Sequence, residues 1–216
     1  KANYGWLDTK YSFSFANYYN PKMMNFGMLR VLNDDTVVPA MGFGTHPHDN
    51  MEIITLVLEG ALEHKDSMGT GSVIYKDEVQ VMSAGSGITH SEFNPSDKEA
   101  VKLFQIWIFP KEKNIKPRYD QKSFPISERK NKLIPAVSGL NKEGSLYIHQ
   151  DAEIYLGNFE KGKKVNYQIS NPANGAYILV VDGSLKVGDE ELFKRDAVGI
   201  SEVNNFEIEM IEDSNF

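Results

Sequence analysis

Residues 54–62, Ile54-Thr55-Leu56-Val57-Leu58-Glu59-Gly60-Ala61-Leu62, read as a buried strand, an acidic-glycine hairpin turn and a returning strand. The same order returns at Tyr177-Ile178-Leu179-Val180-Val181-Asp182-Gly183-Ser184-Leu185, which lies over the first stretch without a gap. Further on, Lys76-Asp77-Glu78-Val79 matches Arg195-Asp196-Ala197-Val198 after a slip of four residues, again as a turn entering a strand. Self-similarity at a fixed offset means that one structural unit is used twice. The chain therefore reads as two copies of a single β-unit.

Outward from these stretches, runs of β-branched and aromatic residues recur at 25–32, 52–58, 72–75, 79–82 and 101–109, punctuated by Gly, Asp, Asn and Pro. That rhythm belongs to an antiparallel barrel or sandwich, and helical periodicity is nowhere sustained. Between Pro110 and Pro135 the chain turns polar, with Pro117 and Pro125 inside the stretch, and reads as a segment crossing between the halves. The expected division is a domain over 1–116 and a second over 117–216.

Composition narrows the function classes. With 216 residues, 41% of them hydrophobic, the chain can bury one large core or two smaller ones. Its 30 acidic against 23 basic residues give a formal charge of −7, and no Lys/Arg cluster offers a track for phosphates, so direct nucleic-acid binding is not expected. There is no cysteine, which excludes thiolate ligands, disulfides and a Cys nucleophile, and leaves any metal to N and O donors. Apolar runs such as Ile178–Val181 are far too short to span a membrane, and no signal-peptide pattern opens the chain. A cytoplasmic monomer is expected, and the start at Lys1 rather than Met leads us to expect a few further residues before it.

Three of the five histidines concentrate in two places. Thr45-His46-Pro47-His48 carries one pair, and Thr89-His90-Ser91-Glu92, 42 residues beyond His48, carries a histidine and a carboxylate at the same i, i+2 spacing. Side chains two apart on a strand share a face, so each segment makes a two-toothed clamp. Three imidazoles and a carboxylate suit a borderline metal such as iron(II), manganese, nickel or copper, with cobalt and zinc also accommodated. Each pair alone could be a solvated polar loop; together they point to a metal site made of His46, His48, His90 and Glu92. Glu52, four residues past His48, is the rival carboxylate, as ligand or as partner to an imidazole N–H. His64, within Glu63–Ser67, reads as a polar strand edge outside the site, and His149 as a packed, hydrogen-bonded histidine of the second half. Shifting His46 and His48 by the offset of the repeat lands on Ile169 and Asn171, so the second copy is expected to lack a metal site.

The order His46-Pro47-His48, Glu52, Gly60, then Gly87-Ile88-Thr89-His90 and Asn94 resembles the cupin superfamily. More closely, Gly42-Phe43-Gly44-Thr45-His46-Pro47-His48, Leu58-Glu59-Gly60, Glu63-His64-Lys65-Asp66-Ser67 and Gly87-Ile88-Thr89-His90-Ser91-Glu92 look like the pirin family. The openings Gly5-Trp6-Leu7-Asp8 and Phe13-Ser14-Phe15-Ala16-Asn17-Tyr18-Tyr19 are similar to its bacterial branch, and Arg195-Asp196-Ala197-Val198-Gly199-Ile200 fits that branch's second cupin. Two positions depart from the general cupin pattern: Ala40 stands where the first motif has glycine and Gly85 where the second has proline. Both lie outside the ligands and bear on loop shape.

The resemblance implies an all-β bicupin, two antiparallel β-barrels of the jelly-roll or cupin type, with one mononuclear iron(II) site in the first barrel. His46, His48, His90 and Glu92 would hold the metal, and Glu52 would fall to a supporting role. It also implies a quercetin 2,3-dioxygenase, acting on a small aromatic substrate and dioxygen. The flavonol 3-hydroxyl loses its proton, Glu92 being the residue to accept it; dioxygen adds across the heterocycle, the ring opens to a depside and carbon monoxide leaves. Phe26, Phe43, Met51 and Phe93, neighbours of the ligands in sequence, are the expected pocket walls. The alternatives are a regulatory protein that binds a protein partner without turnover, as animal pirins suggest, and an oxygenase or isomerase of another small metabolite.

Overall fold

The computed structural model describes residues 1–216, and its regular structure is all β-strand apart from one 3-10 turn at Ile126–Glu128. No helix is long and apolar enough to cross a membrane. The chain divides into two compact units, one of Lys1–Phe124 with Ala136–Glu153, the other of Pro125–Pro135 with Ile154–Phe216.

The first unit holds strands β1 (Ala2–Asn3), β2 (Leu7–Tyr11), β3 (Leu29–Val37), β4 (Gly42–His48), β5 (Glu52–Glu59), β6 (Ala61–Asp66), β7 (Gly71–Tyr75), β8 (Glu78–Ser83), β9 (Ile88–Phe93), β10 (Val101–Ile108) and β11 (Arg118–Ser123). They form an antiparallel seven-stranded sheet in the order β1-β2-β3-β10-β5-β8-β11 and an antiparallel four-stranded sheet in the order β4-β9-β6-β7. Val37, Val57 and Leu103 of the larger sheet pack with Leu62 and Ile74 of the smaller, so the inner faces of the two sheets share one core. β12 (Lys132–Ser138) runs from the second unit into the first, where Val137 and Ser138 pair in parallel with β13 (Leu146–Tyr147).

The second unit contains β14 (Glu153–Phe159), β15 (Lys164–Gln168), β16 (Ala176–Leu179), β17 (Ser184–Val187), β18 (Glu190–Phe193), β19 (Ala197–Ile200), β20 (Asn205–Met210) and β21 (Ser214–Asn215). Its sheets run β15-β20-β17-β18 and β16-β19 around a core that includes Ile178, Leu185, Leu192, Ile208 and Met210. Part of this order repeats that of the first unit. β4-β9-β6-β7 corresponds to β15-β20-β17-β18, and the β5–β8 pair to the β16–β19 pair. The all-β architecture and its duplication are as the sequence led us to expect.

One local expectation changes. The turns at Gly60 and Gly183 are corners rather than hairpin loops. β5 pairs with β10 and β8 while β6 pairs with β7 and β9, so at Gly60 the chain leaves one sheet for the other, and Gly183 does the same between β16 and β17. Both glycines have positive φ, +76° and +83°, and a Cβ at Gly183 would lie 2.1 Å from the Asp213 carbonyl oxygen, so the corner requires the missing side chain. The first predicted strand also starts late, at Leu29, because Asn25–Met28 form a tight turn in which Phe26 and Leu29 exchange backbone hydrogen bonds. The polar stretch after Pro110 contributes β11, an edge strand paired with β8.

The seven-stranded sheet carries a feature that a hydrophobic pattern hides. Gln80, Thr55, Gln105, Asn33 and Tyr11 are successive cross-strand partners on β8, β5, β10, β3 and β2, and directly opposed residues project to the same face. Gln80, Thr55, Gln105 and Asn33 are buried. A polar row thus crosses the interior under β9, where Thr55 and Gln105 meet Glu92.

Candidate metal centre and its pocket

His46 and His48 lie on β4, His90 and Glu92 on β9, and His46 stands directly opposite His90 in the register. The register then slips. Phe43 faces Glu92, so β4 spends one more residue than β9 over the same span, a bulge at Gly44-Thr45 that re-aims the histidines. Inside the bulge, Nδ1 of His46 lies 2.7 Å from the Gly44 carbonyl oxygen, which assigns the proton to Nδ1 and leaves the Nε2 lone pair free. Glycine at 42 permits the pairing, since a Cβ there would lie 2.2 Å from the backbone oxygen of Glu92.

The three imidazoles converge. Ring centroids are 4.5 Å apart for His46–His90, 4.8 Å for His46–His48 and 4.9 Å for His48–His90, and the two Nε2 atoms of His46 and His90 are 3.0 Å apart. One potential ligand atom from each of His46, His48 and His90 falls within 4.8 Å of the others. Glu92 groups differently, within 4.8 Å of ligand atoms of His90 and His64. Its buried carboxylate accepts hydrogen bonds from Thr55 Oγ1 at 3.4 Å and from Gln105 Nε2 at 3.3 and 3.4 Å.

His64 is not at a polar edge. It is fully buried, because Leu62 and His64 alternate inward along β6, and its ring lies 5.3 Å from that of His90. Nε2 of His64 is 3.1 Å from Asp66 Oδ2, the Tyr119 ring covers it at 4.8 Å, and Nδ1 has no partner. Glu52 is also buried, but it accepts a 2.7 Å hydrogen bond from the Ser83 hydroxyl, is further held by the backbone of His149, and belongs to neither group of candidate ligands. His149 itself packs edge-on against Tyr147.

Electrostatics favours ligation by neutral rings. Burial, reinforced by the neighbouring imidazoles, lowers His90 to about 3, and burial with His46 beside it lowers His48 to about 4. Burial raises Glu92 to about 7, against the opposing pull of its Gln105 and Thr55 hydrogen bonds. Such a site resists protonated imidazoles and a bare carboxylate alike, and a divalent cation relieves both strains. The donor set fits one. Nitrogens about 2.1 Å from a shared metal and at right angles would be about 3.0 Å apart, matching the 3.0 Å between Nε2 of His46 and Nε2 of His90. His90 Nδ1 is buried without a partner.

The histidines and Glu92 line a cavity of about 250 Å³ that lies between the two sheets of the first unit. Its aromatic wall is made by Tyr11, Phe15, Phe43 and Trp107, with Phe15 edge-on to Trp107 at 5.4 Å and Trp107 edge-on to His48 at 4.9 Å. Of the four wall residues expected from sequence, Phe43 is in place. Phe93 alternates outward from Glu92 and is exposed, Met51 packs in a cluster with Ile53 and Met82, and Phe26 sits in the turn before β3. Tyr11, Phe15 and Trp107 come from β2, the loop after it and β10, apart from the candidate ligands in sequence, and only the sheet order brings them there.

Residues 1–108 match the family model Pirin, and residues 136–216 match the model of the quercetinase C-terminal cupin domain. The chain is 43% identical over 213 residues to quercetin 2,3-dioxygenase of Escherichia coli K12, covering 99% of this chain and 90% of that one. It is 40% identical over 214 residues to a pirin-like protein of Caulobacter vibrioides, covering 99% and 91%. Among solved structures, the bacterial pirin YhhW of E. coli in complex with nickel(II) superimposes with a TM-score of 0.94 at 42% identity, over 99% of this chain and 91% of the other.

Proposed function

This chain belongs to the pirin family, and from that premise we propose that it is a quercetin 2,3-dioxygenase, opening the heterocycle of a flavonol with dioxygen and releasing carbon monoxide. The observation that carries the reading is the convergence of His46, His48 and His90 at the wall of an aromatic-lined cavity. His46, His48, His90 and Glu92 would hold a single divalent metal, iron(II) being our first choice. The relative that superimposes at 0.94 holds nickel(II), which supports a divalent ion in an N/O site.

When bound, such a metal supplies Lewis acidity toward the substrate's hydroxyl oxygen and, if redox-active, a route for electrons to dioxygen. The chain's own residues do the rest. Trp107, Phe15, Tyr11 and Phe43 clasp a flat ring system and exclude water around the reacting carbons. Thr55 and Gln105 hold the Glu92 carboxylate in position from beneath. With the metal in place Glu92 would be ionised, and its carboxylate could take the 3-hydroxyl proton and give it back later.

The test is anaerobic reconstitution with iron(II), metal quantitation, and an assay of quercetin consumption together with carbon monoxide. Stoichiometric metal and metal-dependent carbon monoxide supports this assignment. Bound metal without turnover rejects it in favour of a regulatory role or another small metabolite.

A further inference from the structure

The wall of the cavity facing the histidines holds a second, unassigned group of side chains. Asp35 and Asn33 share a face of β3; Thr9 of β2 pairs with Asp35, and Gln105 of β10 pairs with Asn33. These four side chains therefore form one patch on the inner face of three adjacent strands. All four line the cavity and none is more than 8% exposed. Each has a buried oxygen that makes no close hydrogen bond: Thr9 Oγ1, Asp35 Oδ1, Asn33 Oδ1 and Gln105 Oε1; the Thr9 hydroxyl acts on Asp35 only from longer range, favouring its carboxylate against burial. Native interiors rarely leave one buried polar atom unpaired, and four in a single cavity wall mark a place built for something else to complete.

The chemistry of that something follows from the atoms. The orientation of Gln105 is set by Nε2, which donates to both oxygens of Glu92, so its Oε1 is the free end. Thr9 can accept or donate, while the other three oxygens accept only. Asp35 remains largely ionised at neutral pH, although burial lifts it to about 6. A carboxylate or phosphate is repelled by this wall, and a purely apolar ligand would seal the four oxygens away from any donor at a high cost. Trp107, two residues beyond Gln105, adds a ring face and an unpaired Nε1–H in the same cavity, suited to an aromatic ligand carrying an ether or carbonyl oxygen.

We propose that Asp35, Asn33, Thr9 and Gln105 form a recognition subsite for the phenolic hydroxyls of a ligand ring, with Asp35 setting the preference for hydroxylated over unsubstituted rings. The proposal rests on reading this cavity as the substrate site. It adds a specificity determinant on β3, on the sheet opposite the one that carries the histidines.

The experiment compares quercetin, with two hydroxyls on its pendant ring, with the otherwise identical flavonol that has none there. Binding is followed by quenching of tryptophan fluorescence and by calorimetry, in metal-free and nickel-loaded protein. Wild type should bind quercetin at least about 10-fold more tightly, the worth of a hydrogen bond to a charged acceptor. Asp35→Leu should bring the two ligands within about 2-fold of each other, whereas Asn33→Ala should reduce the preference only in part. If Asp35→Leu lacks a cooperative melt, Asn33→Ala and Thr9→Val carry the test. Equal affinity in wild type, a preference untouched by these variants, or no binding of either flavonol would each overturn the subsite. Carbon monoxide release from both flavonols with equal KM also rejects it while leaving the dioxygenase standing. A strong preference without carbon monoxide supports the subsite and rejects the dioxygenase.

Discussion

Nε2 of His46 and Nε2 of His90 face each other at 3.0 Å across the β4–β9 pairing, and a hydrogen on His46 Nδ1 already serves the Gly44 carbonyl. Two neutral imidazoles with lone pairs on those nitrogens would repel at this distance. Without a metal one of the two facing nitrogens must carry a proton, and if it is His90 that does so, Nδ1 of that ring is left as a buried acceptor with no partner. A cation between the two nitrogens removes the conflict, so the register of two strands predisposes the pair to bind one.

Removing either member should therefore cost metal binding and not the fold. His46→Ala and His90→Ala are expected to lower affinity for nickel(II) or iron(II) by about 100-fold or more, since loss of a ligand exceeds the effect of losing its supporting partners. The cores around Val57 and Ile178 do not include these rings, so a cooperative thermal transition should persist in both variants. Loss of that transition would show that the histidines hold the unit together in their own right.

Metal binding should release a proton from Glu92. In the metal-free protein this carboxyl is raised to about 7, whereas His48 and His90, at about 4 and about 3, are neutral well below that. If Glu92 ligates, binding at pH ~6 releases about one proton from it, and apparent affinity climbs roughly tenfold per pH unit up to pH ~7 before levelling. Calorimetry in buffers of different ionisation enthalpy reads this directly. Pure histidine binding, with Glu92 left protonated beside Thr55 and Gln105, would remove that contribution, and Glu92→Gln would then leave the pH profile unchanged.

The duplicated architecture was legible because its signal is local: a strand, an acidic-glycine turn and a second strand recur at one offset. The clamp His46-Pro47-His48 was legible for the same reason, since alternation within one strand places both rings on one side. What sequence could not show is which strands neighbour one another. The pocket wall of Tyr11, Phe15 and Trp107 depends on β3 and β10 lying between β2 and β5, and the burial of His64 depends on β6 pairing with β9. The polar row through Asn33, Gln105, Thr55 and Gln80 is invisible for a related reason. Gln105, Thr55 and Gln80 each stand between apolar neighbours, Asn33 opens the polar run Asn33-Asp34-Asp35-Thr36, and only the register assembles the four.

Backbone proximity at Gly42 should matter as much as the candidate ligands. A methyl group there would sit 2.2 Å from the Glu92 carbonyl oxygen and 2.5 Å from the Cα of Phe93, both backbone atoms that cannot swing aside. Gly42→Ala is expected to destabilise the first unit by about 1–3 kcal/mol and to weaken metal binding, because β4 must shift relative to β9 to relieve the overlap. Denaturant unfolding and a nickel titration on the same preparation check both parts. Unchanged affinity in a destabilised variant would mean that the clamp tolerates a displaced β4 end.

Asp35 should make the metal-free protein less stable at alkaline pH than at mildly acidic pH, by an amount that a single substitution isolates. Burial raises this carboxyl from 3.8 to about 6, partly offset by the Thr9 hydroxyl, so the folded protein holds the proton over a range in which the unfolded chain has lost it. Its contribution is therefore most favourable below pH ~4 and disappears as pH rises through about 6, beyond which the folded state bears a buried charge. His48 and His90 act in the opposite sense, because their lowered values make the unfolded chain bind protons first as pH falls below ~6.5, and this masks Asp35 in wild type. Asp35→Asn removes the carboxyl and leaves the histidines. Urea unfolding should find the variant more stable than wild type at pH ~8 by up to about 2–3 kcal/mol, with the difference shrinking toward zero near pH ~4. A difference independent of pH would mean that the substitution acts through packing, with Asp35 already ionised at no cost in the folded protein.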